Sequence, residues 1–85
     1  MTYRIEATAT ARRQVRRLPR ETQDRVRLRV RALAIDPRPP GVTKLTGHER
    51  LYRIHVGDYR VIYEIRDEVL LVLVVEVGHR RDVYR

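Results

Sequence analysis

A histidine and two arginines are drawn together by one stretch of the chain, Leu51 to Ile65, which reads LYRIHVGDYRVIYEI. Apolar and polar residues alternate on both sides of Gly57-Asp58, the pattern of two antiparallel strands joined by a tight turn. A two-residue turn of type II′ needs a positive φ at its first position, which glycine adopts without a steric penalty. The register that follows pairs Val56 with Tyr59, His55 with Arg60, Ile54 with Val61 and Arg53 with Ile62. One face then carries Tyr52, Ile54, Val56, Tyr59, Val61, Tyr63 and Ile65, an apolar and aromatic surface suited to a core. The other carries Arg53, His55, Arg60 and Glu64, with Leu51 and Ile62 among them. Guanidinium forks hold phosphate or carboxylate oxygens, and an imidazole titrates near neutral pH. The second face therefore has groups for gripping an anion and for moving a proton, and it is the candidate site.

Composition narrows the chemistry. The 85 residues make one small domain, 1–85, able to bury about 60–65% of its unfolded surface. There is no cysteine, which excludes disulfides, zinc–thiolate sites and thiol nucleophiles. There is no serine, which excludes a serine hydrolase. His48, His55 and His79 fall in different elements without ligand spacing, so neither a metal nor another cofactor is expected. No apolar run approaches the roughly 18–20 residues that a membrane helix needs, and no signal-like segment opens the chain, so a cytoplasmic location is expected. The net charge of +8 and the pI near 11.0 point to an acidic partner, nucleic acid first. Arginine alone supplies nearly all of it, since Lys44 is the only lysine.

The remaining elements must position the hairpin. Thr2 to Ala7 alternates Tyr3, Ile5 and Ala7 against polar residues and reads as a first strand. Thr8 or Thr10 can cap the helix that follows, in which Ala11, Val15 and Leu18 form a narrow apolar stripe. Arg12, Arg13, Arg16 and Arg17 cover its other side, and Pro19 ends it. A second helix is predicted from Arg20 or Glu21 to Ala34. It carries two apolar stripes, Thr22-Val26-Val30-Leu33 and Leu28-Ala32-Ile35, a width that predicts packing on two sides. Asp36 to Gly41, with three prolines, is a stiff connector. After the hairpin, Val69 to Val77 (VLLVLVVEV) is continuously apolar and reads as a central strand covered on both faces. Gly78 to Arg85 is expected to leave the sheet. The architecture is α+β: a strand, a two-helix hairpin, then a three-stranded antiparallel meander, forming one sheet packed on the helices.

This order of elements resembles the RelE/ParE superfamily of bacterial toxin–antitoxin toxins. The matching residues are Lys44-Leu45-Thr46-Gly47, Tyr52-Arg53-Ile54, Gly57 to Tyr63, and Val77-Gly78-His79-Arg80 followed by Asp82-Val83-Tyr84. Leu18-Pro19 and Asp36-Pro37 fit as well, so the resemblance spans essentially the whole chain. It is nearest to the RelE branch. It implies a ribosome-dependent endoribonuclease that cleaves mRNA in the A site, inhibits translation, and is silenced by a RelB-type antitoxin. The ParE branch, which acts on DNA gyrase, and a non-catalytic basic binding module are the alternatives.

Metal-independent RNA cleavage uses the 2′-hydroxyl as nucleophile on the adjacent phosphate. It requires a base, cations for the phosphorane and help for the departing 5′-oxygen. The resemblance places these roles on Arg53, His55, Arg60, Arg80 and Tyr84. Where RelE proteins carry lysines on the first hairpin strand, this chain has Arg53 and His55. An arginine stays protonated and cannot be the base, whereas an imidazole can exchange a proton near neutral pH. His55 is thus the expected base, with His79 as the alternative. Arg53 and Arg60 would clamp the phosphate, Arg80 would stabilise the leaving oxygen, and Tyr84 would stack on a base or orient the hydroxyl. Lys44, His79 and Arg81 are expected RNA contacts. The antitoxin is expected to be acidic and to meet Arg12, Arg13, Arg16 and Arg17.

Overall fold

The computed structural model describes residues 2–80. The chain runs β1 (Arg4–Ala7), α1 (Ala9–Arg16), α2 (Arg20–Ala32), β2 (Thr43–Lys44), β3 (Leu51–Val56), β4 (Tyr59–Arg66) and β5 (Leu71–His79). The strands form one sheet in the order β1-β5-β4-β3-β2. The meander β3-β4-β5 is antiparallel, as expected, and β1 joins β5 in parallel. Two features have no counterpart in the sequence pattern. Thr43–Lys44 adds a short edge strand beside β3, and the β4–β5 register shifts between Ile62 and Tyr63. Gly78 and His79 also stay in β5 instead of leaving the sheet, because each pairs with the hairpin strand, Gly78 with Arg60 and His79 with Tyr59.

The core lies between the helices and the face carrying Tyr52, Ile54, Val56, Val61, Tyr63 and Ile65, all buried, joined by Val72, Val74 and Val77 of β5. From the helices come Ala11 and Val26, with Leu33 just past the end of α2. Burying each valine, leucine or isoleucine among them contributes about 1.5–3 kcal/mol. The wide apolar surface of α2 is only half used. Val26 and Leu33 are buried, but Leu28 and Ile35 are 68% and 74% exposed, so the predicted packing on two sides does not occur among the described residues. Periodicity shows where a helix is apolar; here no element of the described residues covers the Leu28 side. On the opposite sheet face Leu45 and Ile62 form a second small buried cluster with Leu51 and Val75. β5 is accordingly buried on the helix side and half covered on the other.

Polar groups fix the helices to the sheet. Thr8 caps α1 by accepting from the Ala11 N–H at 3.0 Å, and its hydroxyl donates to the Val75 carbonyl at 3.2 Å. Beyond Ala7, where β1 ends, Gln14 takes over by accepting from the Val77 N–H at 2.7 Å. Gln23 of α2 donates to the Leu18 carbonyl at 2.8 Å and closes the joint made by Pro19. At the far end Arg38 donates to both carboxylate oxygens of Asp67, at 2.8 and 3.3 Å, and lies over the Tyr52 ring at 5.2 Å. Tyr3 donates to the same carboxylate at 2.5 Å. The connector, the residue that leads into β1 and the 3-10 turn Asp67–Val69 are tied at that one carboxylate.

Candidate functional site

The hairpin adopts the predicted register, with Val56 opposite Tyr59 and His55 opposite Arg60. Gly57 has φ +61, and Asp58 is not among the positive-φ residues, as a type II′ turn requires. In such a turn Val56 and Tyr59 exchange both backbone hydrogen bonds, which makes His55–Arg60 a non-hydrogen-bonded pair. Side chains approach more closely in such pairs, with Cα atoms about 4.5 Å apart. His55 is exposed and Arg60 half-buried. On the other side of Arg60 stands Gly78, which offers no side chain to crowd it.

Two residues on, the Arg80 N–H donates to the Asp58 carbonyl at 2.9 Å, which brings the main chain of Arg80 to the hairpin turn. The next row holds Thr43, Arg53, Ile62 and Glu76. Arg53 therefore lies one row from His55 on the same face, and the buried Leu45–Ile62 cluster forms the floor beside it. The structure thus assembles Arg53, His55 and Arg60 on one face, with Arg80 entering at its edge. Tyr84 and Arg81 lie outside the described residues.

Two expected RNA contacts fall elsewhere. Lys44 pairs with Tyr52, so the register turns it towards the helix-side face, away from Arg53. His79 pairs with Tyr59, and the two rings meet edge-on at 5.6 Å, on the face opposite Arg60. Both placements have one cause: strand side chains alternate, and only the register reveals which way. Sequence reasoning missed one residue of this face. Glu76 is a half-buried carboxylate in the row of Arg53. Its signal in the sequence is its charge, since it is the only charged residue in VLLVLVVEV, but a run without alternation does not show which face it takes.

The helical side carries a separate feature. A groove of about 390 Å³ opens between α1 and α2, floored by Ile5, Ala11, Val15, Val26, Val30 and Val74. Arg12, Arg16, Arg27 and Arg31 line its rims. Arg13 and Arg17 stand exposed nearby on α1 and at its end. An apolar floor with cationic rims suits an amphipathic acidic segment.

Residues 5–84 match the family model described as the ParE toxin of type II toxin–antitoxin systems. Toxin RelG of Mycobacterium tuberculosis is 33% identical over 86 residues, covering 100% of this chain and 99% of that protein. The chain belongs to the RelE/ParE family of type II toxin–antitoxin toxins. Solved RelE-family structures share its fold. The archaeal RelE–RelB complex of Pyrococcus horikoshii matches at 28% identity with a TM-score of 0.84, covering 98% of this chain and 100% of that one. The toxin–antitoxin complex RelBE2 of M. tuberculosis matches at 27% identity and a TM-score of 0.78, covering 94% and 100%. Among the described residues no helix is long and apolar enough to cross a membrane.

Proposed function

We propose that this toxin is a ribosome-dependent endoribonuclease that cleaves mRNA in the A site by attack of the 2′-hydroxyl, working in the cytoplasm without a metal. The observation that carries the reading is His55 directly opposite Arg60 on the sheet face away from the helices. His55 accepts the 2′-hydroxyl proton. Arg60 and Arg53 grip the phosphate as it gains charge, and Arg80 at the hairpin turn stabilises the departing 5′-oxygen. Tyr84 stacks on or orients the nucleotide, and Arg81 contacts the RNA backbone. Lys44 and His79, on the other face, stand outside the bond-breaking step. An open sheet face has little means of aligning a flexible RNA, and alignment is worth several kcal/mol, so the ribosome supplies it.

The partner follows from the groove. A RelB-like antitoxin, acidic and disordered when free, places an amphipathic helix between α1 and α2, where the rim arginines meet its carboxylates. The test of function is to translate a defined message in vitro with added toxin and map the breaks by primer extension. His55→Ala should lower the single-turnover rate by about 10²–10⁴ with ribosome binding unchanged. A rate equal to that of the parent removes His55 from the mechanism. The family model's ParE description, and the arginine and histidine in place of lysines, favour one second reading, action on DNA gyrase. Intact message together with inhibited supercoiling selects it.

A further inference from the structure

The helical side reaches the strand that carries His55 at its outer edge. Because His55 and Arg60 form a non-hydrogen-bonded pair, the His55 carbonyl points outwards, to the free edge of β3. β2 pairs only with Tyr52 and Arg53, so it does not reach this carbonyl. Arg29 of α2 reaches it instead, its Nη1 donating to the His55 oxygen at 3.0 Å. One helical turn earlier, the guanidinium of Arg25 lies against the turn. A Cβ placed on Gly57 would stand 3.1 Å from its Nη2 and 3.6 Å from its Cζ. Residues four apart share a helix face, so two arginines of α2 converge on the end of β3 and the turn that follows it, at His55 and Gly57. Helical arginines ordinarily extend into water, and ordering both side chains costs rotamer entropy. Here that order is spent on the strand end that carries the imidazole.

We infer that Arg29, seconded by Arg25, is a positioning residue that latches the end of β3 to α2 and so holds His55 against Arg60. The inference rests on the reading of His55 as proton acceptor. Without the latch, the hairpin end keeps the Val56–Tyr59 bonds, the buried Val56 side chain, the pairing of Tyr59 and Arg60 with β5 and the Arg80 N–H on Asp58, but the outer edge of β3 at His55 loses its tie to α2. The tip then samples open states more often, and His55 spends less time in register with the phosphate clamp.

The test compares Arg29→Met, which keeps the stem and loses the donors, with Arg29→Lys, which keeps a charged donor. Amide hydrogen exchange is measured on the full chain, and single-turnover cleavage on programmed ribosomes. Arg29→Met should raise exchange at Val56 and Tyr59 by about tenfold while leaving Val61 and Tyr63 unchanged, and Arg29→Lys should recover most of the protection. Cleavage by Arg29→Met should slow by about tenfold at saturation, with the half-saturating concentration unchanged. In a His55→Ala background the same substitution should slow it no further. Unchanged exchange at the tip overturns the latch even where His55→Ala is crippling. An equal loss in both backgrounds overturns its action through His55. Raised exchange beside a fully active His55→Ala protein shows instead that the catalytic reading has failed, and the positioning role falls with it while the contact stands.

Discussion

Tyr63→Phe isolates one buried hydrogen bond at the centre of the sheet. Tyr63 has 0% exposure, and its hydroxyl donates to the Pro37 carbonyl at 2.7 Å. Burial pushes its phenol well above the usual range, so at neutral pH the group is a donor. Its ring stacks on Tyr52 at 6.1 Å with a 27° tilt, and phenylalanine preserves that packing. What is lost is the partner of a carbonyl on a buried proline. An orphaned buried acceptor costs about 1–3 kcal/mol, and at about 4–8 °C per kcal/mol for a domain of this size the midpoint should fall by about 4–24 °C. Tyr52→Phe is the control. The Tyr52 hydroxyl accepts from Arg38 Nε at 3.3 Å in a half-buried place, and Arg38 keeps its stacking and its bonds to Asp67. Its loss should cost about 0.5 kcal/mol or less. Thermal and urea unfolding of both variants give the comparison. If Tyr63→Phe melts within about 2 °C of the parent, or no lower than Tyr52→Phe, the connector is not anchored through this bond.

Asp67 supplies a pH dependence. Bonds from Arg38 first and Tyr3 second hold its carboxyl down from 3.8 to about 2. A depressed folded-state pKa stabilises above the unfolded value, and that contribution is lost as pH falls from about 4 towards 2. Midpoints followed through that window should drop less steeply in Asp67→Asn than in the parent, and equal slopes would remove the clamp from the acid limb. Charge reversal at Arg13, Arg16 and Arg17 together should weaken binding of an acidic antitoxin, flatten its salt dependence, and leave message cleavage largely intact. Titration at two ionic strengths checks this, and unchanged affinity and slope would place the partner elsewhere.

The hairpin is legible in the sequence because strict alternation flanks a Gly-Asp turn, and those two signals together leave one register for Leu51–Ile65. The site face follows from that register, so the order of residues alone groups Arg53, His55 and Arg60. β2 is not legible, since two residues have no period. The β4–β5 shift beside Val75 is hidden because a continuously apolar run shows no alternation to interrupt. For the same reason the pattern does not place Glu76 on the site face or His79 on the other. The Leu28–Ile35 stripe is legible as apolar, but whether the chain covers it depends on how many elements the fold supplies. Arg29 reaches its partner 26 positions away at a strand edge, a contact that local pattern cannot express.

The central claim is that a message on the ribosome is cut through its own 2′-hydroxyl by groups on the Arg53–His55–Arg60 face. The direct measurement is single-turnover cleavage of a defined message on programmed ribosomes, run beside the same message with a 2′-deoxy sugar at the scissile A-site nucleotide. The account predicts a single A-site break in the native message, a 2′,3′-cyclic phosphate at its new 3′ end, and no break in the deoxy message. A native message that stays whole, or a deoxy message cut at the same rate, would contradict it.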